Sequence, residues 1–432
     1  SVPQSAKILV ISYVGMTSQE IEITCNVINV TLKDDSKDLD ELVVVGYGTV
    51  KKRDLTGSVS SIKADDIAKS TSSNAMQAMQ AKVPGLDIQQ SSGQAGAGLN
   101  ITLRGNRSIL ANNSPLILVD GIDYGSTIDL NPSDIESMEV LKDASSTAIY
   151  GSRGANGVII ITTKKGKAGK SQINFNSYLS SNIPTNVPQM MYGDKEVQRL
   201  IDKANYQADL AGVTANPATY LWGTSNKTVD QVLTVSYADF TEIGIYNDKS
   251  YTDWLDMVMQ NGLTQNYELS MTGGNDKTVF NMSLGAMSEE GLLKDDIMKR
   301  YNGRLSLEHT LNSYIKAGSS LMYTHKNHDA RSSSVFSQSM KMTTITHPYT
   351  AAGELIDQPN PRYAAHASPL FDEQEGAYVN NTETTRFFGN GFIEIRPIKS
   401  IIYKSMFALD QSNVRAGVYQ DYKSISRYQS PT

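Results

Sequence analysis

The sequence predicts a mainly β protein in which an α+β domain is followed by antiparallel strands of a transmembrane β-barrel. From Lys170 onward, apolar and polar residues alternate over stretches of about ten residues, the pattern of membrane-barrel strands. The connections between these stretches are alternately long and short, as extracellular loops and periplasmic turns are in outer-membrane barrels. Ahead of the strands, residues 130–167 combine turn, strand and helix signals, which predicts a compact α+β core.

Residues 130–167 carry the densest set of signals. A capped turn at Asn131–Asp134 precedes a strand in which Met138 and Val140 share one face. A small-residue helix is predicted over Ala144–Tyr150, and an apolar strand over Val158–Ile161. The glycines between them, Gly151, Gly154 and Gly157, precede a strand. Phosphate-binding loops instead follow a strand and open a helix, so this is not a nucleotide fingerprint.

The N-terminal part reads as the end of a β-sandwich. Three strand-like runs are present, at Ile8–Val14, Ile21–Thr24 and Val27–Leu32. Three short strands bury too little surface to form a domain alone, so residues 1–32 are expected to complete a sandwich that begins earlier. An acidic spacer, Lys33–Glu41, follows as a solvated linker. The β-branched run Leu42–Gly48 is then expected to be extended.

Seven or eight strands are predicted in residues 168–432. The long connections fall at about 182–263, 289–298 and 326–382, and the short ones at 273–276, 310–313 and near Pro397. This order makes the first strand run outward from the periplasmic side. A barrel of eight strands is just wide enough for side chains and could not enclose the preceding α+β domain, whereas barrels whose lumen holds a domain have about 22 strands. The chain is therefore expected to hold the first part of such a barrel.

Composition excludes several classes of function. The 39 basic and 45 acidic residues, a net charge of −6, are dispersed, which does not predict a nucleic-acid surface. No apolar run approaches the roughly 18 residues of a membrane helix. Cys25 is the single cysteine, so no internal disulfide forms. Catalytic and cofactor motifs are absent from the sequence, which predicts neither an enzyme nor a bound cofactor. His325 and His328 are expected to be solvated loop residues rather than metal ligands.

The motifs together resemble SusC-like TonB-dependent outer-membrane transporters. Residues 130–167 are similar to the end of their plug domain, and four further segments match its earlier parts: Lys51–Ile67, Asn74–Gly93, Ala95–Ile109 and Pro115–Gly125, the last two resembling its central hairpin. The resemblance implies the end of a carboxypeptidase-regulatory-like sandwich at 1–32, a linker with the TonB contact at 33–49, the plug at 50–167, and barrel strands at 168–432.

The resemblance also implies a function and partners. It indicates active import of oligosaccharides or oligopeptides across the Gram-negative outer membrane. TonB and its inner-membrane complex would supply energy, and a SusD-like lipoprotein would capture substrate. Outer-membrane lipid would surround the barrel. Alternatives are an importer of siderophore, haem or cobalamin, a surface-associated β-rich glycan-binding protein, or a sensor–transducer.

Three groups of site residues follow. The TonB-contact segment is expected at Asp40, Glu41, Leu42, Val43, Val44, Val45, Gly46, Tyr47 and Gly48. Plug–barrel ion pairs are proposed for Arg104, Arg107, Glu136, Glu139 and Arg153, with hydrated pairs or pairs inside the plug as an equal alternative. Trp222 and Trp254 are candidates for stacking on sugar rings. The favoured alternative for Tyr251–Asp256 is a short helix packed on the barrel rim.

Overall fold

A computed structural model describes residues 8–11, 19–22, 30–31, 42–45, 48–51, 59–68, 72, 74–110, 113–126, 128–193, isolated residues between 195 and 212, and 251–344, 346–350, 352–359, 367–398 and 400–429. The described strands are β1 Ile8–Ile11, β2 Gln19–Glu22, β3 Leu42–Val45, β4 Gly48–Lys51, β5 Val59–Lys63, β6 Leu86–Gln90, β7 Leu99–Leu103, β8 Leu116–Val119, β9 Ile122–Asp123, β10 Ile135–Leu141, β11 Val158–Thr163, β12 Gly169–Asn182, β13 Gly262–Gly274, β14 Thr278–Glu290, β15 Ile297–Thr310, β16 Ile315–Asp329, β17 Tyr378–Ile398 and β18 Ile401–Gln420.

The described helices are short. The α-helices are α1 Ala64–Ala68, α2 Ala144–Thr147, α3 Trp254–Val258, α4 Ser333–Ser339 and α5 Ile425–Gln429. Residues in 3-10 conformation are Ala75–Met79, Pro132–Asp134, Ala148–Gly154 and Phe371–Glu373, and the third of these segments is interrupted at Gly151. Within the described residues, no helix has the length and apolar character needed to cross a membrane.

The N-terminal segments form two antiparallel hairpins. Strand β1 pairs with β2, and β3 pairs with β4 through Val43 opposite Val50 and Val44 opposite Thr49. The predicted run Val27–Leu32 lies outside the described residues except at positions 30 and 31. The assignment of residues 1–32 to a sandwich therefore stays a prediction.

The α+β domain is built on a five-stranded sheet in the order β5-β10-β11-β8-β9. The apolar strand β11 lies at its centre, parallel to β8 and antiparallel to β10. Met138 and Val140 share one buried face of β10, as the alternation predicted, and pack in the main core. Leu141 and Ile160 form a second cluster on the opposite face. Burial on both faces explains why β11 has no polar alternation.

Local signals in residues 130–167 are also confirmed. The side chain of Asn131 accepts a hydrogen bond of 3.0 Å from the Ser133 amide and caps the Pro132–Asp134 turn. The predicted helix over Ala144–Tyr150 is α2 followed by a 3-10 helix. The central-hairpin expectation is wrong. Strand β7 pairs with β6, whereas β8 pairs with β11 and β9, so the two segments do not pair with each other.

Seven antiparallel strands, β12 to β18, form one sheet in sequence order within the described part of the chain. They are 13 to 21 residues long, longer than the roughly ten-residue alternating stretches. The additional residues lie at the strand ends, at positions that the sequence pattern predicts to be loops or turns. Short connections at 275–277, 311–314 and 399–400 lie at one end of the sheet, which we call the turn end. Longer connections at 183–261, 291–296 and 330–377 lie at the other, the loop end.

The two faces of this sheet are chemically different, as predicted. Apolar side chains are exposed on the outer face, for example Phe175, Leu284 and Tyr323 at 64%, 55% and 48%. The inner face carries polar side chains buried beneath the α+β domain: Asn266, Glu268, Asn281, Ser283, Arg304, Ser306, Glu308, Ser320, Thr324, Arg386 and Asn390. Two apolar side chains on this face, Met322 and Phe388, join the main core of the α+β domain, and two others, Met287 and Met298, form a smaller buried cluster with Ala95.

The described parts of the loop-end connections pack on one another and on α5. Helices α3, α4 and α5 and the Phe371–Glu373 turn share a buried apolar cluster, called here the loop cluster, with Trp254, Val335, Phe371 and Ile425 at its centre. A hydrogen bond of 2.9 Å from the Ile425 amide to the Asp372 carboxylate ties two of these connections together.

Candidate functional site

The candidate site is the contact between the α+β domain and the inner face of the long-stranded sheet. Buried polar groups require partners, because desolvation without a hydrogen bond costs about 1–3 kcal/mol in proteins. On the inner face of the sheet, many of these partners are residues of the α+β domain. Four groups of contacts are distinguished by the sheet residue that organises them.

Arg304 on β15 joins the sheet to the end of β11. Its Nη2 donates to Thr163 Oγ1 at 2.6 Å, and its Nη1 donates to Asn281 Oδ1 at 2.9 Å. Thr163 in turn donates its hydroxyl and its amide to the Asp120 carboxylate at 2.6 and 2.9 Å. A continuous chain of hydrogen bonds therefore runs from the β8–β9 turn to the sheet wall.

The turn at Ser133–Asp134 inserts into the same face. Ser283 of β14 donates a hydrogen bond to the Asp134 carboxylate, and Ser133 donates one to the Glu268 carboxylate of β13. Burial raises the pKa of the Asp134 carboxyl, and the nearby Arg304 and the Ser283 bond oppose that rise. Hydroxyl donors therefore cross the contact in both directions, from Ser283 of β14 to Asp134 and from Ser133 to Glu268 of β13.

Lysines flank a carboxylate near the turn end. Glu308 of β15 lies 2.8 Å from Lys165 Nζ, just after the α+β domain, and 2.5 Å from Lys316 Nζ on β16. The carboxylate is largely buried, so two cations offset its desolvation.

Arg386 on β17 makes the widest set of contacts. Its guanidinium forms a bidentate pair with the Asp410 carboxylate at 2.7 and 2.9 Å. It also donates to the Tyr124 carbonyl at 2.7 Å and lies 3.8 Å from the Tyr124 ring centroid. Asp129 lies 4.0 Å away, and Phe388 meets the Tyr124 ring edge-on at 4.9 Å. Burial raises the pKa of the Tyr124 phenol.

The ion-pair residues predicted from sequence mostly contact their own domain. Arg104 pairs with Asp143 at 2.6 Å, and Arg153 pairs with Asp123. Arg107 donates to the Ala155 carbonyl, and Glu139 accepts from Ser137 at 2.7 Å. Glu136 is exposed. The ion pairs of Arg104 and Arg153 therefore lie inside the domain, as the alternative expects, and do not cross to the sheet. For Arg107, Glu136 and Glu139 the plug–barrel assignment stays a prediction.

The residues that connect the α+β domain to the long-stranded sheet are not among the site residues predicted from the sequence. The alternation along β15 puts Arg304 and Glu308 on the polar face of the strand, whereas Arg386 and Asp129 are not among the residues that the sequence motifs single out. A usable signal was available, because charged residues at inward positions of barrel strands must find partners in the lumen. Sequence alone gave no way to pair residues up to 262 positions apart.

Trp254 does not present a ring to a ligand. It is fully buried in the loop cluster, and its Nε1 donates to the Thr343 carbonyl at 3.0 Å. The sugar-stacking prediction for Trp254 is wrong in this arrangement, and the predicted short helix is confirmed as α3, with Asp253 as its cap. Trp222 lies outside the described residues.

The predicted TonB-contact segment is described only in part. Leu42–Val45 is β3 and Gly48 begins β4, whereas Asp40, Glu41, Gly46 and Tyr47 lie outside the described residues. Its role stays a prediction. His328 is not a solvated loop residue, because it lies on β16 with its Nε2 2.8 Å from the Asp296 carboxylate. The described residues include no group of three or more candidate ligands able to hold a metal ion.

Comparison with known proteins gives a consistent picture. Residues 51–158 match the family model "TonB-dependent Receptor Plug Domain". A TonB-dependent receptor of Formosa agariphila is 31% identical over 98% of this chain and 40% of its own length. TonB-dependent receptor SusC of Bacteroides thetaiotaomicron is 35% identical over 69% of this chain and 27% of its own.

A solved structure extends the likeness to three dimensions. The RagAB peptide importer in its "open-open" state superimposes with a TM-score of 0.71 at 28% identity, covering 88% of this chain and 43% of that chain. The chain thus spans less than half the length of the relatives that it matches.

Proposed function

Because this chain is a SusC-like TonB-dependent receptor with a plug domain and barrel strands, we propose that the complete protein imports nutrients across the Gram-negative outer membrane. The α+β domain is its plug, and the long-stranded sheet is part of its barrel wall. The observation that carries the proposal is the polar contact between them. Arg304 and Arg386 fasten the plug by hydrogen bonds rather than by a large apolar seam.

Such a contact suits a gate that must open and close again. Hydrogen bonds between plug and barrel exchange for bonds to water when the plug moves, so the net cost of separation is small compared with that of exposing an apolar interface. TonB, energised from the inner membrane, would pull on residues 40–48 and displace the plug. No covalent chemistry is required, so the protein acts as a transporter and not as an enzyme.

The substrate class we propose is oligosaccharide or oligopeptide, captured with a SusD-like surface lipoprotein. Support comes from the likeness to SusC and to a protein described as a peptide importer. The loop end of the barrel would face outward and meet the lipoprotein. The turn end would face the periplasm.

The proposal is tested by growth. A strain lacking the gene should fail to grow on one or a few members of a panel of single glycans and peptides, and the full-length gene should restore growth only when TonB is present. Normal growth of the deletion strain on every member, with a panel that supports the parent, would contradict the proposed import.

The orientation of the sheet has its own test. With Cys25 replaced by serine, a membrane-impermeant maleimide added to intact cells should label Ser333→Cys and spare Asp276→Cys. Both side chains are exposed, but Ser333 opens α4 at the loop end and Asp276 lies in the β13–β14 turn. Asp276→Cys should label once the outer membrane is permeabilised. Equal labelling of both variants on intact cells would show that the turn end does not face the periplasm.

A further inference from the structure

The plug has a second attachment, at the loop end of the barrel, apart from the lumenal contacts above. It is the loop of residues 91–98, which joins β6 to β7 and is closed by a hydrogen bond of 2.9 Å from the Ser91 amide to the Gly98 carbonyl. Its tip, Gly93–Gly96, lies against the β14–β15 connection, Gly291–Asp296. We call this tip the apical loop.

Two glycines allow the close approach. A Cβ at Gly93 would lie 2.9 Å from Leu292 Cδ1, and one at Gly96 would lie 3.0 Å from Met298 Cε. Gly96 also has φ +62°, which disfavours other residues. Between them, Ala95 packs in a buried cluster with Met287 and Met298.

Three hydrogen bonds hold the apical loop from the barrel side. The Leu292 amide donates to the Gly93 carbonyl at 3.0 Å, and Gln94 Nε2 donates to the Arg331 carbonyl at 3.0 Å. The Ala95 amide donates to Asp296 Oδ2 at 3.0 Å. Asp296 is fully buried, and its other oxygen contacts His328 Nε2 at 2.8 Å. A buried carboxylate that accepts a backbone amide makes a strong, charge-assisted bond.

The same site is connected to the loop cluster. Arg331, whose carbonyl holds Gln94, is nearly buried, and its Nη2 lies 2.9 Å from Glu373 Oε1. Glu373 belongs to the turn whose Asp372 holds the start of α5. The apical loop of the plug therefore shares its anchoring residues with the packed loop helices.

We propose that Asp296, positioned by His328, and Arg331 form a latch that fastens the apical loop of the plug to the loop cluster, so that rearrangement of the loop cluster loosens the plug. The inference rests on the proposed function, because it assigns a control point to plug displacement. It places that control at the loop end, where a substrate or a surface partner would act, and not at the TonB side.

A disulfide tests whether the apical loop must separate from the barrel. An ideal Cβ at Gly93 lies 3.5 Å from Leu292 Cβ, which is within the range of disulfides. In a Cys25→Ser background, Gly93→Cys with Leu292→Cys should lose uptake on oxidation and regain it on reduction, while each single variant is unaffected by the oxidant. Full uptake by a completely oxidised double variant would overturn the latch and leave the proposed function intact. Failure of the unmodified protein to import any panel substrate would overturn the proposed function itself.

Hydrogen exchange tests the two latch residues. In the full-length protein, Asp296→Ala should speed amide exchange in residues 93–96 by about tenfold or more, because it removes a hydrogen bond to a buried charge. Asp295→Asn is the matched control. Asp295 is exposed in the same turn, and asparagine tolerates its φ of +61°. Equal exchange in the two variants would overturn the role of Asp296.

The connection to the loop cluster has a separate test. Glu373→Gln weakens the ion pair with Arg331 and should also speed exchange in residues 93–96, although Glu373 pairs with Arg331 and not with a plug residue. Glu375→Gln, at an exposed position two residues away, should leave this exchange unchanged. An unchanged exchange rate at 93–96 in Glu373→Gln would overturn the coupling of loop cluster and plug.

Discussion

Removal of residues 40–48 from the full-length protein should abolish energy-dependent uptake while leaving the barrel in the outer membrane. The described part of this segment, β3, is paired only in a two-stranded hairpin with β4. An isolated hairpin is marginally stable in water, so its strand is available to the edge of a partner's sheet. In that mode backbone hydrogen bonds carry most of the affinity. Uptake is measured with a labelled substrate, and membrane insertion by heat-modifiable migration of the barrel.

Two single substitutions distinguish recognition through backbone hydrogen bonds from recognition through side-chain contacts. Val44→Pro removes one backbone donor and should reduce uptake strongly, because proline cannot complete a strand ladder. Val44→Thr keeps the donor and the β-branched shape and should import like the unmodified protein. Full uptake by the deletion variant would show that residues 40–48 are not the TonB contact. A loss in Val44→Thr equal to that in Val44→Pro would argue for a side-chain contact instead.

Sequence periodicity predicted those features of the fold that depend on neighbours in sequence. The alternation of Ser283 and Leu284 assigns one to the buried inner face and the other to the exposed outer face, and the structure confirms both. The cap at Asn131 and the apolar run Val158–Ile161 are also local signals and are confirmed. Each depends on a side-chain period or a turn type that a few residues fix.

Features that depend on distant partners were not predictable in this way. Strands β6 and β7 pair with each other, and no local signal distinguishes this pairing from one between β7 and β8. Phe388 and Met322 break the polar inner face, because the plug presents an apolar core to them. Arg104 and Arg386 are both arginines among polar residues, and only the fold decides that the first pairs with Asp143 and the second with Tyr124 and Asp410.

Replacement of Arg386 by methionine should loosen the plug more than any other single change at the lumenal contact. Methionine keeps much of the side-chain length but removes the donor to the Tyr124 carbonyl and the cation facing Asp410 and Asp129. The buried Asp129 carboxylate keeps Lys326 Nζ at 3.9 Å, so the loss falls short of the about 3–5 kcal/mol that a fully broken buried pair costs. Because the Asp410 side chain is 38% exposed, water screens a further part of the loss, and we expect a value below about 3 kcal/mol.

The measurement is hydrogen exchange across residues 122–130 of the full-length protein, with uptake as the second readout. Arg396→Met is the matched control on the same strand. Arg396 pairs with Glu394 at 2.6 Å, but its side chain is 54% exposed, so its loss should change stability by less than about 1 kcal/mol. If the lumenal contacts fasten the plug, only Arg386→Met should open residues 122–130, and the barrel strands should keep their protection. Similar exchange in both variants would mean that Arg386 braces β17 against β18 and does not hold the plug.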